Sequence, residues 1–449
     1  MSVRQNLLDQ LTSPGVFERR IDDIDAKQLE AARELFHLRR NQIAVVRRRA
    51  EEAGIEEIRS LADLVPLLFA HTSYKSYPAA FMESGRWDRM LQWLQTLSVQ
   101  DVTRVDVEGV RDVDDWIDRL RAGGHIVQAT SGTTGKVSFL NHTYGDTQLK
   151  RRHYRTISGW PYLQADNSRH VFIVGPSAGP NSAVEAYHNN VAVWGKPGGA
   201  HFLTDEPIRI GDISRMASLR HRMEEGTATP GEIEDASRDA AAKGERMKKA
   251  LEAFTETLLA HRHEPISMTA QWAQHLMIIE QARRMGVGDG EFHPKSLINA
   301  GGGVKGVVLP PDYKEQVYRF YGDVVRGGAY GMTELASTMP RCEHMRYHRP
   351  PSLIWLLLDQ PGERLLGPQD GPDGVVEGRF AFLDLVYEGR WGGLISGDKV
   401  QVDFNETCPC GRPGPTILDT ISRFSQPGED DHIGCAGTID SYIRGAMAA

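Results

Sequence analysis

Apolar residues recur every three to four positions across 24–54, where Leu29, Ala32, Leu35, Phe36 and Ile43 punctuate a stretch rich in Arg and Glu. That spacing predicts an amphipathic helix. A second helix, rich in Trp and Met, is predicted over 82–98. Beyond it the pattern changes. Short apolar runs at 125–129, 170–174, 265–269, 296–300 and 324–328 read as strands, and helical patterns fall at 147–158, 270–285 and 311–321. Such alternation argues for an α/β architecture with largely parallel sheets flanked by helices. Residues 205–263 interrupt the rhythm with dense charge, and 231–262 predicts one long helix. That helix is either a solvated surface element or a cap or partner-binding surface. After 350, Pro and Gly become frequent, and runs at 375–377 and 381–387 predict a small β-rich subdomain.

Four regions are expected: a helical part of a large domain over 1–120, an α/β core over 121–340 that carries the insertion 205–263, the β-rich subdomain over 341–420, and a tail over 421–449. At 449 residues the chain exceeds the size at which one core keeps growing, so several subdomains are expected. A net charge of −8 argues against a general nucleic-acid or membrane-surface role. The longest apolar run, 353–358, is strand length rather than membrane length, and residues 1–20 lack a signal-peptide core. Four cysteines in so long a chain do not make a disulfide framework. A reducing cytoplasm is the expectation, with metal ligation the more interesting use of clustered cysteines.

The densest chemical signal is Thr130-Ser131-Gly132-Thr133-Thr134-Gly135-Lys136, directly after the strand at 125–129. Three hydroxyls beyond Thr130, two glycines that turn backbone N–H groups toward one point, and a lysine suit a polyphosphate. It is not a Walker A loop, which needs glycine at 130 and Ser or Thr at 137, where Thr130 and Val137 stand. The plain alternative is a Ser/Gly/Thr surface loop. A second signal is Tyr330-Gly331-Met332-Thr333-Glu334, after Gly327 and Gly328, which allow close backbone approach to a flat ligand. A carboxylate just past a strand end is placed to hold Mg2+ on phosphate oxygens. The third is Ser396-Gly397-Asp398, whose carboxylate can accept hydrogen bonds from vicinal ribose hydroxyls.

These elements, in this order and with Ala300-Gly301-Gly302-Gly303 and Cys408-Pro409-Cys410-Gly411-Arg412, resemble the adenylate-forming enzymes. Within that superfamily the likeness is greatest to phenylacetate–coenzyme A ligases and bioluminescence acyl-protein synthetases, and it spans about 125–432. The resemblance implies that Ser131, Gly132, Thr133, Thr134, Gly135 and Lys136 cradle the β- and γ-phosphates of ATP. Gly302, Gly303, Ala329, Tyr330 and Gly331 would line the adenine slot. Thr333 would touch the α-phosphate, Glu334 would hold Mg2+ and Asp398 would take the ribose, with Arg412 or Arg423 as a further contact. His188 would lie near the acyl pocket. The implied reaction activates a carboxylic acid as an acyl adenylate, releases pyrophosphate, and passes the acyl group to a thiol or amine, such as coenzyme A or a carrier protein. A nucleotide-binding protein that keeps the pocket without turnover is the alternative.

Cys342, His348, Cys408 and Cys410 could supply a four-coordinate structural Zn2+ site, with unligated thiols as the alternative. The resemblance has gaps. The family continues into a mobile carboxy-terminal domain with a catalytic lysine, and here lysines are absent after Lys399. The arginines usual before the ribose-binding turn are replaced by Gly392-Gly393-Leu394-Ile395, so local positive charge is expected to be missing. Cys435 is a conceivable acyl acceptor or a spare cysteine. Trp160, Trp194 and Trp272 either shape an aromatic-acid site or belong to the core.

Overall fold

The computed structural model describes residues 2–130, 136–301, 308–424 and 433. They fall into two compact units. The first gathers 2–130, 136–156 and the residues from 329 onward; the second gathers 157–301 and 308–328. The architecture is mixed α/β: a parallel sheet flanked by helices in the second unit, and an antiparallel β-rich sheet in the first.

The parallel sheet has five strands among the described residues, in the spatial order Gly195–Thr204, Arg169–Pro176, Ile266–Gln271, Leu297–Gly301 and Val325–Gly327. Four of these were legible as apolar runs, because a strand covered on both faces needs side chains that tolerate burial everywhere. The strand order reverses direction at Arg169–Pro176, which is the first strand in sequence but lies second in the sheet. Helices Ser182–Trp194, Trp272–Arg284 and Tyr313–Tyr321 connect the strands. Phe172, Met268, Ile298, Val317 and Phe320 form the core. Trp194 and Trp272 belong to this packing. Trp194 is wholly buried with its indole N–H on Ser158 Oγ at 2.7 Å, and Trp272 packs edge-on against Tyr313 and Tyr318. Gly327 is required by a neighbour: a Cβ there would stand 2.0 Å from Asn299 Oδ1 on the adjacent strand.

The charged insertion forms two helices, Ile210–Glu224 and Pro230–Ala260. The second starts with a reciprocal cap. Thr229 Oγ1 accepts from the Glu232 N–H, the Glu232 carboxylate accepts from the Thr229 N–H, and Pro230 takes the first helical position. Only its last turns are buried, through Leu251, Phe254, Leu258 and Leu259. The rest is a solvated helix face, stabilised by its cap and its charge pattern rather than by packing.

In the first unit, the strands follow the order Arg346–His348, Thr416–Leu418, Gly393–Asp403, Val375–Asp384, Leu353–Leu358 and Leu365–Leu366. Phe69–Ala70 joins Gly393–Asp403 in parallel, and Ser422–Arg423 joins it antiparallel. Helices from the amino terminus tie to this sheet by buried arginines: Arg4 Nε donates to the Leu385 carbonyl at 2.8 Å and Arg39 Nη2 to that of Tyr387 at 3.0 Å. Three sequence expectations change in detail. The helix expected over 24–54 breaks at Ile43, which is extended and buried, giving Ile24–Gln42 and Ala44–Glu52. The helix expected over 82–98 becomes Ala79–Glu83 and Trp87–Gln95, divided at Gly85 with φ of 65°. The run at 125–129 forms a strand, Ile126–Ala129, but pairs antiparallel with Phe139–His142 instead of entering the parallel sheet. An apolar run reports burial; it does not name its partner.

Two substitutions separate core packing from capping. Phe382→Ala, at a position with no solvent exposure, is expected to cost about 3–5 kcal/mol by leaving a cavity. Thr229→Ala removes one cap and is expected to cost about 1 kcal/mol. Urea denaturation followed by tryptophan fluorescence and circular dichroism measures both.

Candidate functional site

The residues with chemical potential in the first unit gather around the strand Gly393–Asp403. Asp398 sits where Ser422–Arg423 pairs alongside, directly opposite Arg423. Its backbone N–H donates to Ser396 Oγ at 3.1 Å, and that hydroxyl donates to the Phe380 carbonyl at 2.6 Å, so the turn is held from both sides. Arg423 Nε lies 3.2 Å from Asp398 Oδ1, and the Tyr330 hydroxyl donates to Oδ2 at 2.7 Å. An ionised carboxylate has about four lone-pair sites. Among the described residues two are committed, one on each oxygen.

The positive charge missing from 392–395 arrives from neighbouring strands. Arg423 supplies it at Asp398, and Arg379 Nη1 donates to the Ser396 carbonyl at 2.9 Å while its guanidinium lies 4.4 Å from the Phe424 ring centroid. Arg412 is placed elsewhere: its guanidinium bonds Glu18 and Glu343, beside the cysteine cluster.

Glu334 lies in the loop between two short antiparallel strands, Ala329–Tyr330 and Met339–Pro340. A fully buried carboxylate, Asp384, fixes this loop. Its Oδ2 accepts from the N–H groups of Ala336 and Ser337 at 2.8 and 2.9 Å, and its Oδ1 accepts from the Ser337 hydroxyl at 2.8 Å and the Val386 N–H at 3.1 Å. Arg390, also buried, donates from Nη2 to the Glu334 carbonyl at 2.6 Å and from Nη1 to the Tyr74 hydroxyl at 3.0 Å, and lies over the Tyr387 ring. Burial raises the Glu334 carboxyl above the ordinary carboxylate value. The negative charge of Asp398 adds to the rise, while Arg390 and Arg423 oppose it. When ionised, the Glu334 carboxylate is a hard oxygen donor of the kind that suits Mg2+. Thr333 is half-buried in the same loop; Ala329 and Gly331 are exposed on its approach.

Lys136 belongs to the same unit. Its ammonium donates to the Tyr77 carbonyl at 2.7 Å and lies 5.3 Å from the Tyr77 ring centroid. Three residues earlier, Tyr74 binds Arg390, so Lys136 connects to the Glu334 loop through the segment 74–77. Ser131, Gly132, Thr133, Thr134 and Gly135 lie outside the described residues, as do Gly302, Gly303 and Cys435. His188 lies in the second unit, exposed on Ser182–Trp194, with Nε2 2.8 Å from the Ser177 carbonyl.

Cys342, His348, Cys408 and Cys410 come together, with their ligand atoms all within 4.8 Å of one another. Two turns of the same design build the cluster. In each, the cysteine N–H bonds the carbonyl four residues on, and the N–H three residues on returns to the cysteine carbonyl. Arg341↔Tyr347 closes one turn and Thr407↔Pro413 the other, and a positive φ occurs at the matching positions Met345 and Gly411. The sulfurs of Cys342 and Cys408 are 4.0 Å apart, and Cys410 Sγ is 3.5 Å from His348 Nε2. On a tetrahedral zinc two sulfurs stand about 3.8 Å apart, and a sulfur and an imidazole nitrogen about 3.5 Å. The donor set fits. Burial pushes the Cys408 thiol up to about 12 and raises that of Cys342. Cys410 is also raised by burial, but hydrogen bonds from Arg412 and the other thiols hold it below the ordinary value. His344, at the place in the first turn matching Cys410 in the second, stays exposed, and His348 from the following strand takes the position instead.

Asp384 and Arg390 are the residues that sequence reading passed over. Asp384 had a signal, a lone acid inside the apolar run 381–387; Arg390 had none beyond its place ahead of the two glycines.

No family model matches the chain, and no curated protein matches its sequence. Solved structures with partial likeness include o-succinylbenzoate CoA synthetase (MenE) from Bacillus subtilis, bound with the product analogue OSB-NCoA. It is 13% identical with a TM-score of 0.34, over 65% of this chain and 48% of that one. ATP-bound MatB from Rhodopseudomonas palustris is 13% identical with a TM-score of 0.37, over 64% of this chain and 47% of that one. The chain thus spans about half the length of each. A likeness this slight carries no functional argument, which rests instead on the residues described above.

The raised Glu334 carboxyl has a consequence for stability. Because its folded value lies above the ordinary one, its favourable contribution is present below the ordinary value and is lost as pH rises through the raised one. Glu334→Gln cannot ionise. Its denaturation midpoint is therefore expected to gain on the wild type as pH rises from the ordinary carboxylate value to the raised one. An unchanged difference across that window would contradict the assignment.

Proposed function

We propose that this chain is an ATP- and Mg2+-dependent adenylate-forming ligase. It joins a carboxylic acid to AMP, releases pyrophosphate, and passes the acyl group to a thiol or amine acceptor such as coenzyme A or a carrier protein. One observation carries the reading: Asp398 is gripped by Arg423 and Tyr330, and Tyr330 lies on the short strand that leads into the Glu334 loop.

The residues divide the work. Asp398 takes the two ribose hydroxyls. Glu334 would hold Mg2+, which supplies charge neutralisation on the phosphoryl oxygens. Thr333 would donate to the α-phosphate, and Lys136 with the hydroxyls and N–H groups of 131–135 would hold the departing pyrophosphate. Gly302, Gly303, Ala329, Tyr330 and Gly331 would border the base. Catalysis then consists of positioning two anions that otherwise repel and of stabilising charge as the bond to pyrophosphate breaks. Asp384 and Arg390 hold the Glu334 loop in place for that task. Cys342, His348, Cys408 and Cys410 would hold a structural Zn2+ that pins two turns; four protein ligands leave no open position for chemistry.

Exchange of labelled pyrophosphate into ATP, dependent on one of a panel of aryl and fatty acids, is the expected activity. Glu334→Gln is expected to lower it by about 10²-fold or more while the fold persists. Nucleotide binding with no exchange for any acid would instead mark a non-catalytic nucleotide-binding protein. Separately, cobalt-loaded protein is expected to show thiolate-to-cobalt charge transfer that Cys408→Ser abolishes.

A further inference from the structure

Three histidines in the second unit converge on a point none of the preceding chemistry uses. His170 lies near the start of the strand Arg169–Pro176. His201 lies on the neighbouring strand, Gly195–Thr204, whose register sets it beside Phe172. His261 caps the carboxy end of the long helix Pro230–Ala260, five residues before the strand Ile266–Gln271 begins. Each ring offers one nitrogen within 4.8 Å of the other two. His170 Nδ1 and His201 Nε2 are 2.9 Å apart, and the His170 and His261 ring centroids are 3.7 Å apart. All three rings are partly exposed, so the cluster is open to solvent ions.

The surroundings hold the rings in place. Phe172 stacks on His201 at 4.5 Å with planes 13° apart, and Phe254 packs edge-on behind Phe172, which stiffens one wall. Glu264 Oε1 lies 3.1 Å from His261 Nδ1, the carboxylate–imidazole pairing that fixes the tautomer of a metal-binding histidine. Lys196 lies 3.5 Å from the other oxygen of Glu264; it is the one ammonium paired with this carboxylate among the described residues.

We propose that His170, His201 and His261 form a divalent transition-metal site, suited to Zn2+, that is separate from the Cys342–His348–Cys408–Cys410 cluster. Two imidazole nitrogens on one zinc stand about 3.3 Å apart, a few tenths of an ångström beyond the present His170–His201 spacing. A shared proton occupies that short contact in the metal-free state. Metal binding moves this proton to the far nitrogen of its ring or to solvent, so that both facing lone pairs point at the ion. Three imidazoles leave a fourth position for water or an anion. The site lies at the edge where Arg169–Pro176 and Ile266–Gln271 begin, opposite the carboxyl edge at which open α/β sheets usually take their ligands.

Cobalt distinguishes the two clusters, because only thiolates give intense ligand-to-metal charge transfer. The full chain, stripped with chelator and titrated with Co2+, is expected to bind one equivalent that shows visible bands without that transfer. His261→Gln is expected to lose this equivalent and leave any thiolate signal unchanged, and Cys408→Ser is expected to retain it. Equal stoichiometry in wild type and His261→Gln would overturn the proposal, as would loss of all cobalt in Cys408→Ser. A measurement on the unsubstituted chain guards against misfolding of a variant. Zn2+ is expected to protect His170, His201 and His261 from diethyl pyrocarbonate, read by mass spectrometry. Equal modification of the three rings with and without Zn2+ would also overturn it.

Discussion

The carboxylate of Asp384 takes four hydrogen bonds in a place no water reaches. A buried charge persists only where its oxygens are fully used, and the groups that use them here are the backbone and hydroxyl of the loop bearing Glu334. Loop position and charge satisfaction are thus one constraint. Arg390 holds the loop from the other side through its two Nη groups, which donate to the Glu334 carbonyl and Tyr74, while Tyr387 covers its face. Neither side chain needs to meet a substrate. Together they decide where the Glu334 carboxyl stands, and removing Asp384 would leave the buried N–H groups of Ala336 and Ser337 without their acceptor.

The second unit was largely readable from sequence, because strands covered on both faces must be continuously apolar and the connecting helices keep their period. The first unit was less so. Its helical stretches looked unbroken: Gly85 did mark one break, but Ile43 is an unexceptional helix residue and gave no warning of an extended kink. The strand Ile126–Ala129 has the composition of a parallel strand, and only pairing with Phe139–His142 distinguishes it. Tyr330, Glu334 and Asp398 were legible as a motif series, and the structure joins Tyr330 to Asp398 by a hydrogen bond. The charge around them was not, since Arg379 and Arg423 come from other strands and proximity across a sheet leaves no trace in local sequence.

The cysteine turns show the reverse case. Their sequences differ, with Cys-Glu-His-Met in one and Cys-Pro-Cys-Gly in the other, yet their backbones close through the same pair of hydrogen bonds. Spacing along the chain suggested four ligands; the repeated turn explains why they can meet. It also shows why His344, equally near Cys342 in sequence, stays outside while His348 points in from the next strand.

The strand Met339–Pro340, which closes the Glu334 loop, runs within two residues of Cys342, and Tyr347, next to His348, has its ring 5.8 Å from that of Tyr330. Tyr330 in turn holds Asp398. An oxidant that links two of these sulfurs would therefore strain turns that stand one aromatic contact away from the residue that holds the Asp398 carboxylate.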